Sequence, residues 1–390
     1  MKEALKQEII SAIQRSGFPL EHQVGNILRE HGWQTISNRY YIDDIKGTER
    51  EIDIVAYKLF LDETEQIEYI TTLIISCKKN EKNKWCFLTR STDPTDANIN
   101  RNPFHYCTTD ERLDYMTKRH KGVLIRQYKS EKDVRDLYDF SENVFAYEKI
   151  RDAKDKSEKE KGMFVLNGNT DIYESIITTI KALNFEKSSR IKRYEKYRYK
   201  RYYTFHLLSV FGGEMVKDHF EENGTQVIEN IDEIKYLNRH IINNEEDFYV
   251  VNFIQIDNFE NRLNLFDDIH KVNTEILPKF IDTFYKDIFK YRDRVMLFWD
   301  ECSRELGEVI QTYADSDTHP IQTSDPLPRL FFVYDDKLII CIYDKSYKDD
   351  KLITELNDNE GLKEEVNEIL QRYYRYSGPF SIINWFSQFE

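Results

Sequence analysis

Two short apolar segments, separated by a charged gap, constrain the fold of this chain more than any other feature of its sequence. Residues Arg50–Tyr57 and Leu73–Lys79 are rich in Ile and Val and are bounded by polar turns, a composition typical of β-strands. Because side chains alternate between the two faces of a strand, Glu51 and Asp53 are expected to share one face. The sequence therefore predicts two strands whose polar residues follow a regular pattern.

The second strand carries its polar residues in a matching phase. Ser76 and Lys78 share one face, and Cys77 lies on the other face with the aliphatic residues. If the two strands pair, Asp53 and Lys78 converge at one point of the sheet. A carboxylate beside an ammonium suits metal-dependent cleavage of a phosphodiester, because the carboxylate holds a divalent cation and the ammonium stabilises charge on the phosphate.

Each of these residues also has a simpler interpretation. An Asp flanked by aliphatic residues is commonly an edge or turn residue, and two lysines after a strand commonly mark its solvated end. The matching phase of Asp53 and Lys78 on two apolar strands is the observation that favours a shared site.

A helix predicted before the strands carries another candidate acid. Pro19 suits the first turn of a helix. Glu21 lies at the start of this helix, beside an apolar stripe that consists of Leu20, Val24, Ile27 and Leu28. Two interpretations of Glu21 stay open: an acid favoured by the positive end of the helix dipole, or a third carboxylate that points towards the strand pair.

The net charge of the chain limits how it can bind nucleic acid or membranes. Its 390 residues include 56 Lys and Arg against 70 Asp and Glu, a formal charge of -14. This balance disfavours non-specific coating of nucleic acid or of anionic membranes, but a local basic surface still permits nucleic acid as a substrate. The 5 cysteines, without a C-x-x-C pair, argue against a zinc site or a disulfide framework and favour the reducing cytoplasm. No apolar run approaches the roughly 20 residues of a membrane span.

One segment concentrates positive charge within this acidic chain. Residues 187–203 contain eight Lys or Arg and a single Glu, interleaved with tyrosines. The interleaving is typical of phosphate contact combined with base stacking, although a solvated helix end with tyrosines packed on the core explains it equally well. The cations that would contact nucleic acid are Arg190, Lys192, Arg193, Lys196, Arg198, Lys200 and Arg201.

The rest of the chain gives weaker signals. Residues 90–130 are polar and carry Pro94 and Pro103, which predicts irregular structure. Later strands and helices are compatible with a single domain over residues 1–275. Residues 276–390 are expected to form a separate C-terminal α+β region, to which the sequence assigns no role.

The residues around the two strands resemble a known family. Glu21 on an early helix, Glu51-Ile52-Asp53 on one strand and Ser76-Cys77-Lys78 on the next are similar to the PD-(D/E)XK nuclease superfamily, which has the restriction-endonuclease-like fold. The motif-bearing part covers residues 16–88. The resemblance implies an α/β (α+β) domain, a mixed sheet flanked by helices, followed by the smaller C-terminal region.

The resemblance also implies roles for individual residues. Asp53 would bind a metal ion, Mg²⁺ or Mn²⁺, together with Glu21 and the Cys77 carbonyl, and Lys78 would be the catalytic lysine. The implied activity is that of an endonuclease that hydrolyses nucleic acid, above all DNA, in bacterial defence against phages or mobile elements.

One residue departs from the family pattern. Where the pattern has Glu or Asp two residues before the lysine, this chain has Ser76, and a hydroxyl is a poor substitute because Mg²⁺ prefers charged oxygens. Glu21 or Glu51 can supply the missing carboxylate at the catalytic site. Otherwise the domain is an inactive nuclease-like module that binds nucleic acid or a partner protein. A subunit of a larger complex, or a homo-oligomer, is a further alternative.

Overall fold

The computed structural model describes residues 3–43, 47–80, 82–93, 95–97, 103–154, 156–194, 197–242, 245–314, 328–335, 337–347 and 349–388. These segments contain ten α-helices and fifteen strands, so the predicted mixed α/β class is confirmed. The chain divides into two compact units, Met1–Pro278 and Lys279–Glu390. Within the described ranges, no helix is both long and apolar enough to cross a membrane.

The first unit begins with two helices and a run of strands. Its elements, in chain order, are α1 (Glu3–Gln14), α2 (Phe18–Glu30), β1 (Gln34–Asp43), β2 (Thr48–Asp62), β3 (Ile67–Lys79), β4 (Lys84–Ser91), β5 (His105–Thr108), α3 (Glu111–Ser130), β6 (Glu142–Asp152), α4 (Lys156–Lys161), β7 (Phe164–Leu166), α5 (Thr170–Tyr194), β8 (Lys200–Gly212), β9 (Met215–Phe220), β10 (Gln226–Ile231), β11 (Glu233–Ile242), β12 (Glu245–Gln255) and α6 (Ile256–Tyr285). Helix α6 continues past the division between the units.

A seven-stranded mixed sheet forms the centre of the first unit. Its order is β1-β2-β3-β8-β12-β11, and β5 pairs with the first part of β8. Strands β3, β8 and β12 run parallel, and β2 is antiparallel to β3. Ile70 packs in the cluster that contains α5, whereas Thr71 contacts His270 of α6. Since neighbouring residues point to opposite faces, α5 and α6 cover opposite faces of this sheet.

A five-stranded sheet in the order β10-β9-β4-β6-β7 packs against the first sheet through aromatic rings. Trp85 of β4 stacks on Phe211 of β8, with ring centroids 3.9 Å apart. Phe87 packs at 4.9 Å from Phe253 of β12. These rings belong to the hydrophobic cluster that also holds the buried side of α5, so one core joins both sheets.

The second unit has its own small sheet and helices. Its elements are α7 (Arg292–Val295), α8 (Trp299–Ala314), β13 (Leu330–Asp335), β14 (Lys337–Ile342), α9 (Asp350–Asp358), α10 (Glu360–Tyr374) and β15 (Phe380–Asn384), with strand order β13-β14-β15. Buried Arg294 donates hydrogen bonds to the carbonyls of Thr283 and Phe284. The guanidinium thereby satisfies carbonyl groups near the end of a helix, which would otherwise lack partners.

The prediction of irregular structure over residues 90–130 is wrong for its second half, which forms β5 and α3. Helix α3 begins at Asp110, whose carboxylate accepts a hydrogen bond from the Leu113 N–H at 3.0 Å. The helix is kinked at His120, where φ is -123° and ψ is 26°. The kink shifts the apolar face between the two halves of the helix, which weakens the 3.6-residue pattern in the sequence.

Candidate active site at the carboxyl edge of the first sheet

Asp53 lies where the pairing between β2 and β3 ends. The antiparallel ladder of these strands runs to Ile54, which faces Ile75. Asp53 is the residue before Ile54 on β2, and its Oδ2 accepts a hydrogen bond from the Cys77 N–H at 2.5 Å. The carboxylate thus takes the place of a backbone carbonyl as the partner of the Cys77 N–H. This bond fixes the carboxylate beside the end of β3.

The register places Ser76 and Lys78 on one face of β3. Ile74 belongs to the main hydrophobic cluster together with α5, and alternation along β3 puts Ser76 and Lys78 on the same face as Ile74. Asp53 is held beside these residues by the hydrogen bond that it accepts from the Cys77 N–H.

The alternation of β2 is interrupted next to Asp53. Ile52 and Val55 lie in the same hydrophobic cluster, although strict alternation would put them on opposite faces. On β1 the paired residues skip Asn38, which stands opposite Asp53 and has a positive φ of 52°. The alternation along β2 is therefore broken at this point. It no longer supports the expectation that Glu51 lies on the face of Asp53. The charge of Glu51 is nevertheless near enough to raise the pKa of Asp53.

Glu21 approaches the strand ends from α2. This helix packs against β1, β2 and β3, and Leu20, Val24 and Leu28 are its large buried side chains. Glu21 lies in the first turn, and its Oε1 is so close to Gly17 that a Cβ added there would be 3.3 Å away. Glu21 lies at the positive end of the helix dipole, and its charge interacts with those of Asp53, Glu51 and Lys78.

The carboxyl groups at this point perturb one another. Partial burial raises the pKa of Glu21. Asp53 and Glu51 raise it further, and Lys78 lowers it. Burial also raises the pKa of Asp53, while the Cys77 N–H and the Lys78 ammonium act in the opposite direction. Three carboxyl groups and one ammonium therefore lie within electrostatic range of each other.

Cys77 contributes its backbone to the site rather than its thiol. Burial raises the pKa of the thiol well above its usual value, so the sulfur stays protonated and unreactive. In a strand the N–H and C=O of one residue point to the same side. The Cys77 carbonyl therefore faces the gap occupied by Asp53, and it is the carbonyl that the resemblance implies as a metal ligand.

Ser76 is enclosed by the fold. Its side chain is 1% exposed, and within the described part of the chain its Oγ makes no regular hydrogen bond. It lies close enough to Asp53 to lower the pKa of that carboxyl. Across the sheet Ser76 pairs with Ser209, whose Oγ accepts a hydrogen bond from Ser175 of α5 at 2.6 Å. In this arrangement Ser76 influences the site through its contact with Asp53.

Three helices begin at the edge of the sheet where these residues lie. Parallel strands β3, β8 and β12 end there, and α2, α5 and α6 start with an acid in the first turn, namely Glu21, Asp171 and Asp257. Helix N-termini carry partial positive charge, and the crevice outside the carboxyl ends of parallel strands is a common ligand site. Sequence reasoning missed this edge because β3 pairs with a strand 133 positions later.

The basic stretch lies at the other end of the same strands. Lys200 pairs with Ile67 at the start of β3, whereas Lys78 pairs with Phe211 near its end. The two pairs are eleven residues apart. At about 3.3 Å per residue, roughly 36 Å separates them along the strands. The basic stretch and the Asp53–Lys78 site are therefore two separate places on the molecule.

Two cations of the basic stretch are engaged within the protein. Arg190 is buried and pairs with Glu186 at 2.8 Å. Arg201 lies between the rings of Tyr194 and Tyr197, 3.7 and 4.4 Å from their centroids. These two guanidinium groups hold the fold together, as the packed-tyrosine interpretation predicts. The exposed cations are Lys192, Arg193, Arg198 and Lys200, and Lys196 lies outside the described residues.

The chemistry of the donors at the strand ends suits a hard divalent cation. Carboxylate oxygens and a backbone carbonyl are ligands that Mg²⁺ accepts, and a cation beside Glu21 and Asp53 would stabilise their charged forms against the burial and the like charges that raise their pKa values. In the side-chain positions of the described segments, no cluster of three or more His, Cys, Asp or Glu is arranged to hold a metal.

Comparison with known protein families, with curated proteins and with solved structures finds no match for this chain. Since function resides in sites rather than in folds, the geometry and charges of the carboxyl edge are the grounds for assigning an activity.

Proposed function

We propose that the protein is a metal-dependent endonuclease that hydrolyses phosphodiester bonds of DNA at the Asp53–Lys78 site. The observation that carries the proposal is the position of Asp53, which the Cys77 N–H holds near the end of β3, within electrostatic range of Glu21 and Lys78. The likeness of Glu51-Ile52-Asp53 and Ser76-Cys77-Lys78 to the PD-(D/E)XK pattern supports the same chemistry. A role in bacterial defence is the part of the proposal that rests on this likeness alone.

The carboxylates have a binding role in this proposal. Asp53 and Glu21 would hold the cation, with the Cys77 carbonyl facing the same gap and Glu51 as a further carboxylate within electrostatic range. When bound, Mg²⁺ or Mn²⁺ would activate water and neutralise charge on the phosphate. Asp53 is held ready for this role by the Cys77 N–H, which leaves its other carboxylate oxygen for the cation.

Lys78 has an electrostatic role. Its ammonium lies near both Glu21 and Asp53, on the strand residue that follows Cys77. A fixed positive charge beside the carboxylates binds the phosphate of the substrate and stabilises the negative charge that grows on its oxygens during hydrolysis. Partial burial of the site strengthens this interaction because the local dielectric constant is lower than that of water.

Cleavage of supercoiled plasmid DNA tests the proposal. The wild-type protein is expected to nick or linearise the plasmid with Mg²⁺ or Mn²⁺, and excess EDTA should stop the reaction. Asp53→Asn keeps an oxygen that can accept the Cys77 N–H, so this variant should fold normally and lose cleavage. A wild-type protein that is inactive with both metals would remove the proposal, as would an Asp53→Asn variant that cleaves at the wild-type rate.

A catalytically inactive module that binds nucleic acid or a partner protein is the second candidate function, and Ser76 is the observation that favours it. A buried hydroxyl stands where the superfamily pattern has a metal-binding carboxylate. This candidate predicts that the wild-type protein retards DNA in a gel without cleaving it. It also predicts that EDTA leaves the retardation unchanged.

A further inference from the structure

The two edges of the small sheet in the second unit differ in how the chain covers them. The strand order is β13-β14-β15, so β13 and β15 are the edges, and within the described residues β13 pairs with β14 alone. Asn357 of α9 closes the β15 edge. Its Nδ2 donates a hydrogen bond to the Ile382 carbonyl at 2.7 Å, and its Oδ1 accepts one from the Ile382 N–H at 2.8 Å. The side chain thus occupies the groups to which a further strand would bond.

The backbone groups that β13 presents at its own edge follow from its register with β14. The Tyr343 N–H donates a hydrogen bond to the Arg329 carbonyl at 2.7 Å. Hydrogen-bonded and non-hydrogen-bonded pairs alternate along an antiparallel ladder, so Leu330, Phe332 and Tyr334 direct their N–H and C=O groups away from β14. Three residues of β13 therefore offer donors and acceptors to a further strand.

The side chains of β13 also favour pairing with another strand. Residues Leu330–Asp335 read Leu-Phe-Phe-Val-Tyr-Asp and contain no Lys, Pro or Gly, which are residues that commonly protect the edge of a sheet. Val333 and Tyr334 are 38% and 37% exposed. Because aromatic and β-branched side chains stabilise cross-strand pairs, this composition suits a strand with neighbours on both sides.

We propose that β13 pairs in antiparallel orientation with β13 of a second copy of this chain, which joins the two small sheets into one of six strands. The three outward residues are symmetric about Phe332. A two-fold axis at this residue therefore pairs Leu330 of each copy with Tyr334 of the other, and the backbone groups of both edges are satisfied by one symmetry operation.

Charge complementarity favours a second copy over an unrelated strand. The same register places Asp335 of each copy opposite Arg329 of the other, and both residues are exposed. Opposite charges that face each other across two strands stabilise the pair, and this register supplies them at both ends of the interface. The inference concerns the second unit and does not depend on the proposed nuclease activity.

The dimer is expected to be reversible. Each copy contributes one strand of 6 residues. Such an interface is smaller than the roughly 1,600 Å² that a standard protein–protein interface buries, so the protein should pass from monomer to dimer as its concentration rises.

Analytical ultracentrifugation of the full chain over a concentration series tests the inference. Asp335→Arg places like charges opposite each other at both ends of the interface and should raise the dissociation constant of the dimer by roughly tenfold. Arg329→Asp should have a similar effect. The matched control is Asp358→Arg, which makes the same change of charge at an exposed position at the end of α9 and should leave the dimer unchanged.

Mixing the two variants separates strand pairing from a general effect of charge. In a dimer of one Asp335→Arg chain and one Arg329→Asp chain, opposite charges face each other again at both ends, so the mixture should dimerise as the wild type does. The inference is overturned if the wild type stays monomeric at every concentration or if both charge variants dimerise normally. It is also overturned if the control weakens the dimer equally, or if the mixture associates no better than either variant alone.

Discussion

The two ends of β3 and β8 carry opposite arrangements of charge on the same pair of strands. At the carboxyl end, burial raises the pKa values of Glu21 and Asp53, and the charges of Asp53 and Glu51 raise that of Glu21 further. At the amino end, Arg201 pairs with Glu68 and Arg190 pairs with Glu186, so each cation there has an acidic partner. Carboxylates that are kept close despite repulsion are typical of a functional site, whereas paired ions are typical of structural support.

This contrast shows why positive charge in the sequence is a poor guide to binding. The stretch over residues 187–203 has the highest density of cations, yet two of its arginines have partners inside the fold. What matters is whether a charged group has already found a partner in the folded state.

Removal of one lysine from each end gives the largest expected difference. Lys78→Met is expected to slow plasmid cleavage by about 10²–10³-fold, because a group that stabilises developing charge contributes about 3–4 kcal/mol to catalysis. Lys200→Met, eleven residues away along the same strand pair, should leave the rate within about twofold of wild type. Rates measured under single-turnover conditions check this. Equal losses would abolish the distinction between the two ends.

Glu186→Gln tests the paired end through stability. Glu186 is 1% exposed and serves both Arg39 and Arg190. Its neutralisation leaves enclosed guanidinium groups without a countercharge, and we expect a loss of about 3 kcal/mol in the free energy of unfolding. Urea denaturation gives this value. The control is Glu246→Gln, which breaks an exposed pair with Arg239 and should cost less than about 1 kcal/mol. A loss no larger than that of the control would contradict the assignment.

Ser76→Glu tests whether the carboxyl edge can accept one more acid. Ser76 is fully enclosed beside Asp53, so a carboxylate there would be buried next to an acid whose pKa is already raised. We expect the free energy of unfolding to fall by about 2–3 kcal/mol. Ser76→Ala is the control and should be nearly neutral. If Ser76→Glu instead keeps its stability and speeds metal-dependent cleavage, the natural site lacks a ligand that the fold has room for.

Glu21→Gln gives the smallest expected effect on stability, and this effect is visible mainly in how stability depends on pH. The pKa of Glu21 is raised above its ordinary value of 4.5, so the folded state keeps this proton to higher pH than the unfolded chain does. Stability therefore falls as pH rises from 4.5 through the raised pKa, and the substitution should flatten this fall. Because the side chain is partly exposed, we expect a gain of only about 0.5 kcal/mol at neutral pH.

Glu158→Gln is a control for the pH experiment, because the pKa of Glu158 is shifted in the opposite direction to that of Glu21. Hydrogen bonds from Arg151 and from the Lys154 N–H lower the pKa of Glu158 to about 2. Its stabilisation is therefore present above the unfolded pKa and is lost as pH falls towards 2. Glu158→Gln should reduce stability at neutral pH, whereas Glu21→Gln should not. The same sign for both variants would show that the pKa of Glu21 is not raised in the folded state.

The parts of the fold that the sequence predicts correctly are local. The apolar stripe of α2 and the phase of β2 and β3 can be read from residues that are contiguous in the chain. Together they account for the pairing of β2 with β3, because a hairpin register follows from short-range pattern. The interruption at Asn38 is invisible in the sequence, since Asn occurs in many conformations.

The parts that the sequence could not predict depend on long-range pairing. Ser76 is buried because it faces Ser209, and the distant position of Lys200 follows from the same parallel register. Arg39 and Glu186 are 147 positions apart, so their ion pair leaves no trace in either segment. Sequence periodicity reports which face of a strand is apolar, but it does not report which strand lies beside it.

The parallel pairing of β3 with β8 also determines when β3 can complete its pairing during synthesis. The residues of the candidate site have all been synthesised by position 80, but β8, the neighbour of β3, is complete only at Gly212. At about 5–20 residues per second, β3 waits roughly 7–27 s with one edge unpaired. An apolar strand edge exposed for that time is a template for pairing with other chains. Truncation before residue 212 should therefore produce aggregates, not a smaller folded domain.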